Sequence, residues 1–529
     1  MAASADPLPA HVRLEGSFWT ADPAHALATS IDLAGGTIAA VDAPARPGVP
    51  VVTLVPGAVA LPGIIDAHLH LTLGALGLAQ VDLSPARSRA DFESMIADAA
   101  RTIAPGRWLR AHGWDESRWG GERPTRDWLR TGGTVPCVAY RMDHHACVVN
   151  DAVLAMIGDA PCPDGGEIVR DARGEATGLL LEQAAWQLVN PRIPVPPAAD
   201  RQAAVRRAIA HCHGFGITAV GSMEYEADLR EVYEPMRARD PQAFTLRVLA
   251  TILDREWPVD RTWGAAFPAD ERLRIVGWKS FADGTLGSRT ARMLRPYADD
   301  GATRGMLVEF AAHSTERVRT WAADTLAAGF SPATHVIGDE ALRITLDAIE
   351  PVDPNRLARY EHCQTIDDAD LPRMRGRIAS MQPLHKAHDA AVAPVRLGTD
   401  RMRAFFRFRD LADAGARLAF GSDWPIVSCD PWLGIRTAVT GLDVDGRPCR
   451  TDQNLSVEES LVAYTRGAAD ALRAPDLGRL APGARADLCI LASDPFSHDW
   501  SRGTPNVAAT IAGGRVVHGA VGARVASPA

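Results

Sequence analysis

Eight short apolar runs, most of them separated by amphipathic helical stretches, constrain this chain more than any other feature. They fall at residues 61–70, 217–222, 246–253, 273–283, 331–337, 357–362, 378–385 and 418–423. Near-continuous apolar runs of this length suit parallel strands buried on both faces. Stretches such as 314–329 and 339–349 supply the helical crossovers that parallel strands need. The pattern predicts an α/β fold, a (β/α)8 TIM barrel, with a doubly wound sheet as the competing architecture. The gap between the first and second runs is far longer than the rest, and residues 83–215 within it read as an inserted subdomain over one end of the barrel. Both ends of the chain read as short strands with hairpin signals, Gly35-Gly36 near the start and Gly513-Gly514 near the finish. Neither end holds enough strand to stand alone. Residues 1–60 with 476–529 are therefore expected to form one small composite β-sandwich, and 61–475 the barrel with its insert.

Composition excludes several function classes. Over 529 residues, 47% hydrophobic and 23% charged is the balance of an ordinary globular protein. A net charge of -9 argues against nucleic acid as a partner, because phosphate binding needs a basic surface. No apolar run reaches membrane-spanning length, and the start lacks the pattern of a secretory signal, so no membrane partner is expected. The eight cysteines are scattered, with no CxxC pair, which fits reduced thiols and a cytoplasmic setting.

The chemistry collects where the runs end, which in a barrel is the catalytic face. The first run closes on His68-Leu69-His70, and residues i and i+2 of a strand point the same way. The fourth carries Lys279, the fifth His335, the sixth His362 and the eighth Asp423. Each alone is more often a core or loop residue than a ligand. Together, four histidines, one lysine and one aspartate sit on five strand ends, and imidazole with carboxylate suits zinc or a similar divalent ion. Lys279 is one of only two lysines, the other being Lys386. A buried lysine is costly unless neutral or paired. It either pairs with Asp283 or another acid, or reacts as the neutral amine with carbon dioxide to give a carbamate that bridges two metal ions, which arginine cannot do.

Other features carry less. His211-Cys212-His213 also has HxH spacing but ends a helix, where i and i+2 diverge, and reads as structural. His385, just after the seventh run, is placed to touch substrate, with a solvated loop histidine as the alternative. Asp143-His144-His145 lies in the insert and either lines the site or braces a turn. The tryptophans 108, 114, 119 and 128 are most simply the insert's own core, with Trp114 a candidate wall of an apolar pocket.

With these residues in hand, the chain resembles the amidohydrolase superfamily, and within it the YtcJ-like or amidohydrolase 3 branch, which includes N-substituted formamide deformylases. The resemblance rests on LPGIIDAHLHL, GWDESRW with PTRDWL, DHHACVVN, GGEIVRDARGEATGLLLE, KSFADGTLGSRTA, THVIGDEAL, EHCQ, SMQPLH, FGSDWP and the closing GRLAPGARADLCIL, spread over about residues 33–517. It implies a hydrolase that cleaves a non-peptide C–N bond, of amide or formamide type, with a metal-activated hydroxide. It implies one or two divalent ions per chain, zinc being the expected metal. His68 and His70 would bind the more buried ion, carbamylated Lys279 would bridge, and His335 and His362 would bind the second. Asp423 would be both ligand and proton shuttle. His145 takes the position of the family's Asp-Gly-His histidine, with His144 in place of glycine, and is a candidate substrate contact with Trp114 and His385. A mononuclear deaminase or cyclic-amide hydrolase of the same superfamily is the alternative. A non-catalytic descendant would be expected to have lost ligands, and here the set is complete. The expected partner is a small-molecule substrate, and a homodimer is the commonest assembly for a soluble chain.

Overall fold

The computed structural model describes residues 8–525 apart from 79, 105, 143–145, 164–165, 183, 242–243 and 254–258. The chain divides into two compact units. One runs to Gly74 and resumes at Val205, and the other spans Ala75–Ala204.

The first unit holds the barrel. Its strands are β1 (Ile64–Leu69), β2 (Ile217–Glu224), β3 (Arg247–Leu253), β4 (Leu273–Phe281), β5 (Ser331–Val336), β6 (Arg359–His362), β7 (Ile378–Met381) and β8 (Arg417–Phe420). They hydrogen-bond in sequence order as one eight-stranded sheet, and every neighbouring pair is parallel. Each of the eight falls on one of the predicted runs, because strands covered on both faces have no polar side to alternate with, but the seventh run reads too long: β7 ends at Met381 and Pro383 opens a helix. Helices Thr315–Ala327 and Asp339–Ile349 flank β5. Ser314 caps the first by accepting from Arg317 N at 3.1 Å, and its inward face is Val318, Trp321 and Ala322.

β8 and β1 share no regular ladder; backbone hydrogen bonds just beyond their ends complete the ring. Asp423 N donates to His68 O at 2.6 Å, and His70 N donates to Trp424 O at 2.8 Å. The Asp66 carboxylate accepts from His68 N at 3.1 Å and Ser422 N at 3.0 Å. The two segments approach so closely at Gly421 that a Cβ there would lie 2.5 Å from His68 N and 2.7 Å from Asp66 Oδ1.

Both ends of the chain build a second sheet in the same unit. Strands His11–Trp19, Leu27–Ala34, Thr37–Val41, Val51–Leu54 and Val59–Pro62 join Leu488–Leu491, Val507–Ala512, Arg515–Gly519 and Gly522–Val525 in one nine-stranded sheet. Two antiparallel pairs join the ends of the chain, Val59–Pro62 with Leu488–Leu491 and Val51–Leu54 with Gly522–Val525. Val12, Leu14, Ile31, Leu488, Ile490 and Ile511 lie in its single buried cluster. Asp487 fastens this sheet to the barrel, taking Arg247 Nε on Oδ2 at 2.7 Å.

The second unit carries its own six-stranded sheet, in the order Gly166–Arg170, Ala176–Glu182, Ala146–Val149, Cys137–Arg141, Leu109–Trp114, Val81–Asp82. Trp114 is part of this unit's core and not the wall of a pocket. It is 1% exposed, clusters with Leu83, Phe92, Leu109 and Trp128, and its indole N–H donates to Ala139 O at 2.9 Å. Among the described residues, no helix is long and apolar enough to cross a membrane.

The seam at Gly421 gives a direct test. Gly421→Ala forces a methyl group into the His68 backbone, and overpacking of this kind costs about 1–3 kcal/mol. Denaturant unfolding is expected to show that loss, while Gly446→Ala, at an open position with nothing within 4 Å, tests only its strained backbone.

Candidate metal centre

The ends of β1, β4, β5, β6 and β8 converge on one buried cluster. β1 delivers His68, fully buried, and His70 one step beyond the strand. His68 Nδ1 lies 2.6 Å from Glu361 Oε2, and Arg359 Nε donates to Glu361 Oε1 at 2.7 Å. Burial works to raise the Glu361 carboxyl, but the Arg359 charge and His68 hold it well below the usual carboxylate range. An ionised carboxylate only accepts, so His68 donates from Nδ1 and keeps the Nε2 lone pair for the centre. This is the carboxylate–histidine arrangement that orients metal-binding imidazoles.

Asp423 sits opposite. Its Oδ1 lies 3.4 Å from His68 Nε2 and 3.2 Å from His70 Nε2, and its Oδ2 lies 3.8 Å from His385 Nε2. Burial would raise its carboxyl, yet the adjacent His68 and His70 keep it well below the ordinary value. Lys279 is 1% exposed, with Nζ 3.5 Å from His68 Nε2. Burial lowers its ammonium to about 8, against the opposing pull of Glu361 and Asp423. Asp283 is not its partner: that carboxylate accepts from Arg292 N, Ile337 N and Gly338 N at 2.7–3.0 Å.

His335 lies one residue before the end of β5 and turns Nε2 to Gly284 O at 3.0 Å, which leaves Nδ1 as its free lone pair. Burial and the Lys279 charge push its imidazole down to about 3. Its ring centroid is 4.4 Å from that of His362. Burial lowers His70 as well and takes His362 well below its usual value, while His385 falls to about 4 for the same reason. At neutral pH these rings are therefore unprotonated, the form that ligates. His362 Nδ1 and His385 Nε2 are buried without a hydrogen-bond partner. His362 and Asp423 both hold left-handed backbone, φ 74° and 59°, a strain that persists where the surrounding structure dictates a side-chain direction.

Two triads offer ligand atoms that lie within 4.8 Å of one another: His68, His70 and Asp423, and His362, His385 and Asp423. Orphaned buried nitrogens, neutral imidazoles and an ionised carboxylate fit a divalent cation of the zinc type.

The structure thus gathers His68, His70, Lys279, His335, His362 and Asp423, and adds His385, carried by the short helix Pro383–Asp389. His145 lies outside the described residues. His213 bonds to Ile217 O and Thr245 Oγ1, and Lys386 donates to Arg450 O at 3.3 Å, so neither joins the centre. Sequence reasoning overlooks Glu361 and Arg359. The signal is a base and an acid at i and i+2 of the buried strand Arg359–His362, a spacing that puts both on one face.

A family model described as Amidohydrolase family matches residues 56–518. The putative amidohydrolase YtcJ of Bacillus subtilis is 33% identical over 466 residues, covering 84% of this chain and 85% of that protein. The N-substituted formamide deformylase of Arthrobacter pascens is 28% identical over 508 residues, covering 90% and 92%. The crystal structure of an uncharacterized metal-dependent hydrolase from Pyrococcus horikoshii OT3 superimposes with a TM-score of 0.78 at 28% identity, covering 93% of this chain and 99% of that one.

Glu361→Gln leaves His68 without its anionic partner. Loss of such an orienting group costs about 10–100-fold in metal affinity, and competition titration with a chromophoric zinc chelator is expected to show it.

Proposed function

The chain belongs to the amidohydrolase family, and from that premise we propose that it is a metal-dependent hydrolase that opens an amide- or formamide-type C–N bond in a small molecule. The observation that carries the reading is the convergence of unprotonated imidazoles on the ionised Asp423 carboxylate. Similarity to the formamide deformylase supports the substrate class. His68, His70 and Asp423 would hold one ion, with His335 and His362 available to a second, and zinc suits this donor set. Once bound, a divalent ion polarises a carbonyl and lowers the pKa of coordinated water to about 7.

The chain's own groups divide the remaining work. Asp423, ionised and facing the centre from two sides, accepts the proton of the attacking water on a carboxylate oxygen. It then delivers that proton to the nitrogen as the C–N bond breaks, a base role followed by an acid role. Glu361 keeps His68 in one tautomer and one orientation. Lys279 Nζ, uncharged in an appreciable fraction near neutrality, forms an N–C bond to carbon dioxide and releases a proton. The resulting carbamate places an anionic oxygen pair where an ammonium would repel a cation. Burial of the cluster excludes bulk water and so strengthens each of these interactions.

The test is a screen of N-substituted formamides and simple amides, scored by amine release from protein purified with bicarbonate and loaded with zinc. Turnover is expected, with loss on chelation and recovery on zinc readdition; no amine release from any substrate by the loaded protein overturns the reading. Asp423→Asn is expected to lower kcat by about 10²–10⁴-fold, the scale of a lost general acid–base group. Near-normal kcat in that variant removes Asp423 from the proton path.

A further inference from the structure

One carboxylate beside the centre has no part in the chemistry above. His385 faces Asp423, its Nε2 3.8 Å from Oδ2, and its ring lies over that of His362 with centroids 6.0 Å apart. Asp389 follows it by four residues at the end of the same helix, Pro383–Asp389. Side chains at i and i+4 share a helix face and start roughly 5–6 Å apart. Gln364, two residues beyond His362, reaches the same place from the end of β6: its Nε2 donates to Asp389 Oδ2 at 3.3 Å.

The surroundings of Asp389 are rich in acceptors and short of donors. Among the described residues its one hydrogen-bond donor is Gln364, and no arginine or lysine charge acts on it. Burial pushes its carboxyl up to about 6, which still leaves it largely ionised at neutral pH. The bond from Nε2 fixes which way the Gln364 amide faces and leaves its Oε1 buried with no partner. Gln364 is 2% exposed. Its Oε1 belongs to the same amide as the nitrogen bonded to Asp389, so the two acceptors border one space. An ionised carboxylate only accepts, at about four lone-pair sites, and a charge removed from water is costly until it is paired. Elsewhere this chain meets that requirement with arginine: Asp487 has Arg247, and Asp370 has Arg343 and Arg373. At Asp389 the pairing cation has to come from outside the chain.

We infer that Asp389, with Gln364 Oε1 beside it, binds a protonated amine carried by the substrate. The three N–H donors of an ammonium match a carboxylate and an amide oxygen. The substrate is then an amide or formamide with a cationic group at a fixed remove from its scissile C–N bond. The inference rests on the hydrolase reading above and specifies its substrate. N-formyl and N-acetyl diamines of increasing chain length are compared with N-alkyl formamides and acetamides of matching length. The zinc-loaded enzyme is used, and kcat/KM is read from released formate or acetate. At the best length the ammonium substrate is expected to be favoured about tenfold or more, the scale of a hydrogen bond to a charged group. Asp389→Asn keeps the shape and removes the charge, and is expected to bring that ratio close to one. Asp389→Glu is expected to move the best length to the diamine one methylene shorter. A wild-type ratio near one overturns the inference, and so does a preference that survives Asp389→Asn. No acid released from either series overturns the hydrolase reading itself and this inference with it. Circular dichroism checks folding. Should both variants unfold, metal-free wild-type crystals soaked with the best N-formyl diamine decide: an ammonium bonded to Asp389 is expected, and one bound elsewhere refutes the proposal.

Discussion

The hydrogen bond from Asp423 N–H to the His68 carbonyl joins the last barrel strand to the first and fixes two residues of the candidate metal centre in one contact. At 2.6 Å it sits where β8 and β1 otherwise lack a ladder. Asp66 reinforces it from below by accepting from both segments. Gly421 permits it, since any side chain there would meet the His68 backbone. Closing the ring and aiming the carboxylate at the imidazoles are therefore one event. A barrel that failed to close here would lose the site, and a site residue that shifted here would open the barrel. The left-handed backbone of Asp423 is held in place by this pairing.

Electrostatics keep the cluster in a binding-competent state. The imidazoles of His70, His335, His362 and His385 and the Lys279 amine would repel one another if protonated, and burial disfavours their charged forms. The negative groups respond differently. Glu361 and Asp423 are as buried as the imidazoles, yet each has a cationic or hydrogen-bonding neighbour that keeps it ionised. Arg359 is the fixed positive charge that balances Glu361. The cluster thus presents neutral nitrogens and anionic oxygens, which is what a cation displaces water to reach.

Much of this is legible in the sequence for a definite reason. Parallel strands covered on both faces read as unbroken apolar runs, so β1 to β8 announce themselves, and a polar residue terminating such a run stands out. His68, His335, His362 and Asp423 are visible on that ground alone. What stays hidden depends on direction and not on position. Nothing in Glu361-His362 says that the glutamate turns to His68, or that His362 takes positive φ. Trp114 misleads because a tryptophan at a strand end reads equally as a pocket wall or as core, and only the pairing of Leu109–Trp114 within the insert's own sheet decides it. His385 is ambiguous because its position follows a short strand by a turn, where a difference of one residue reverses the side chain's heading.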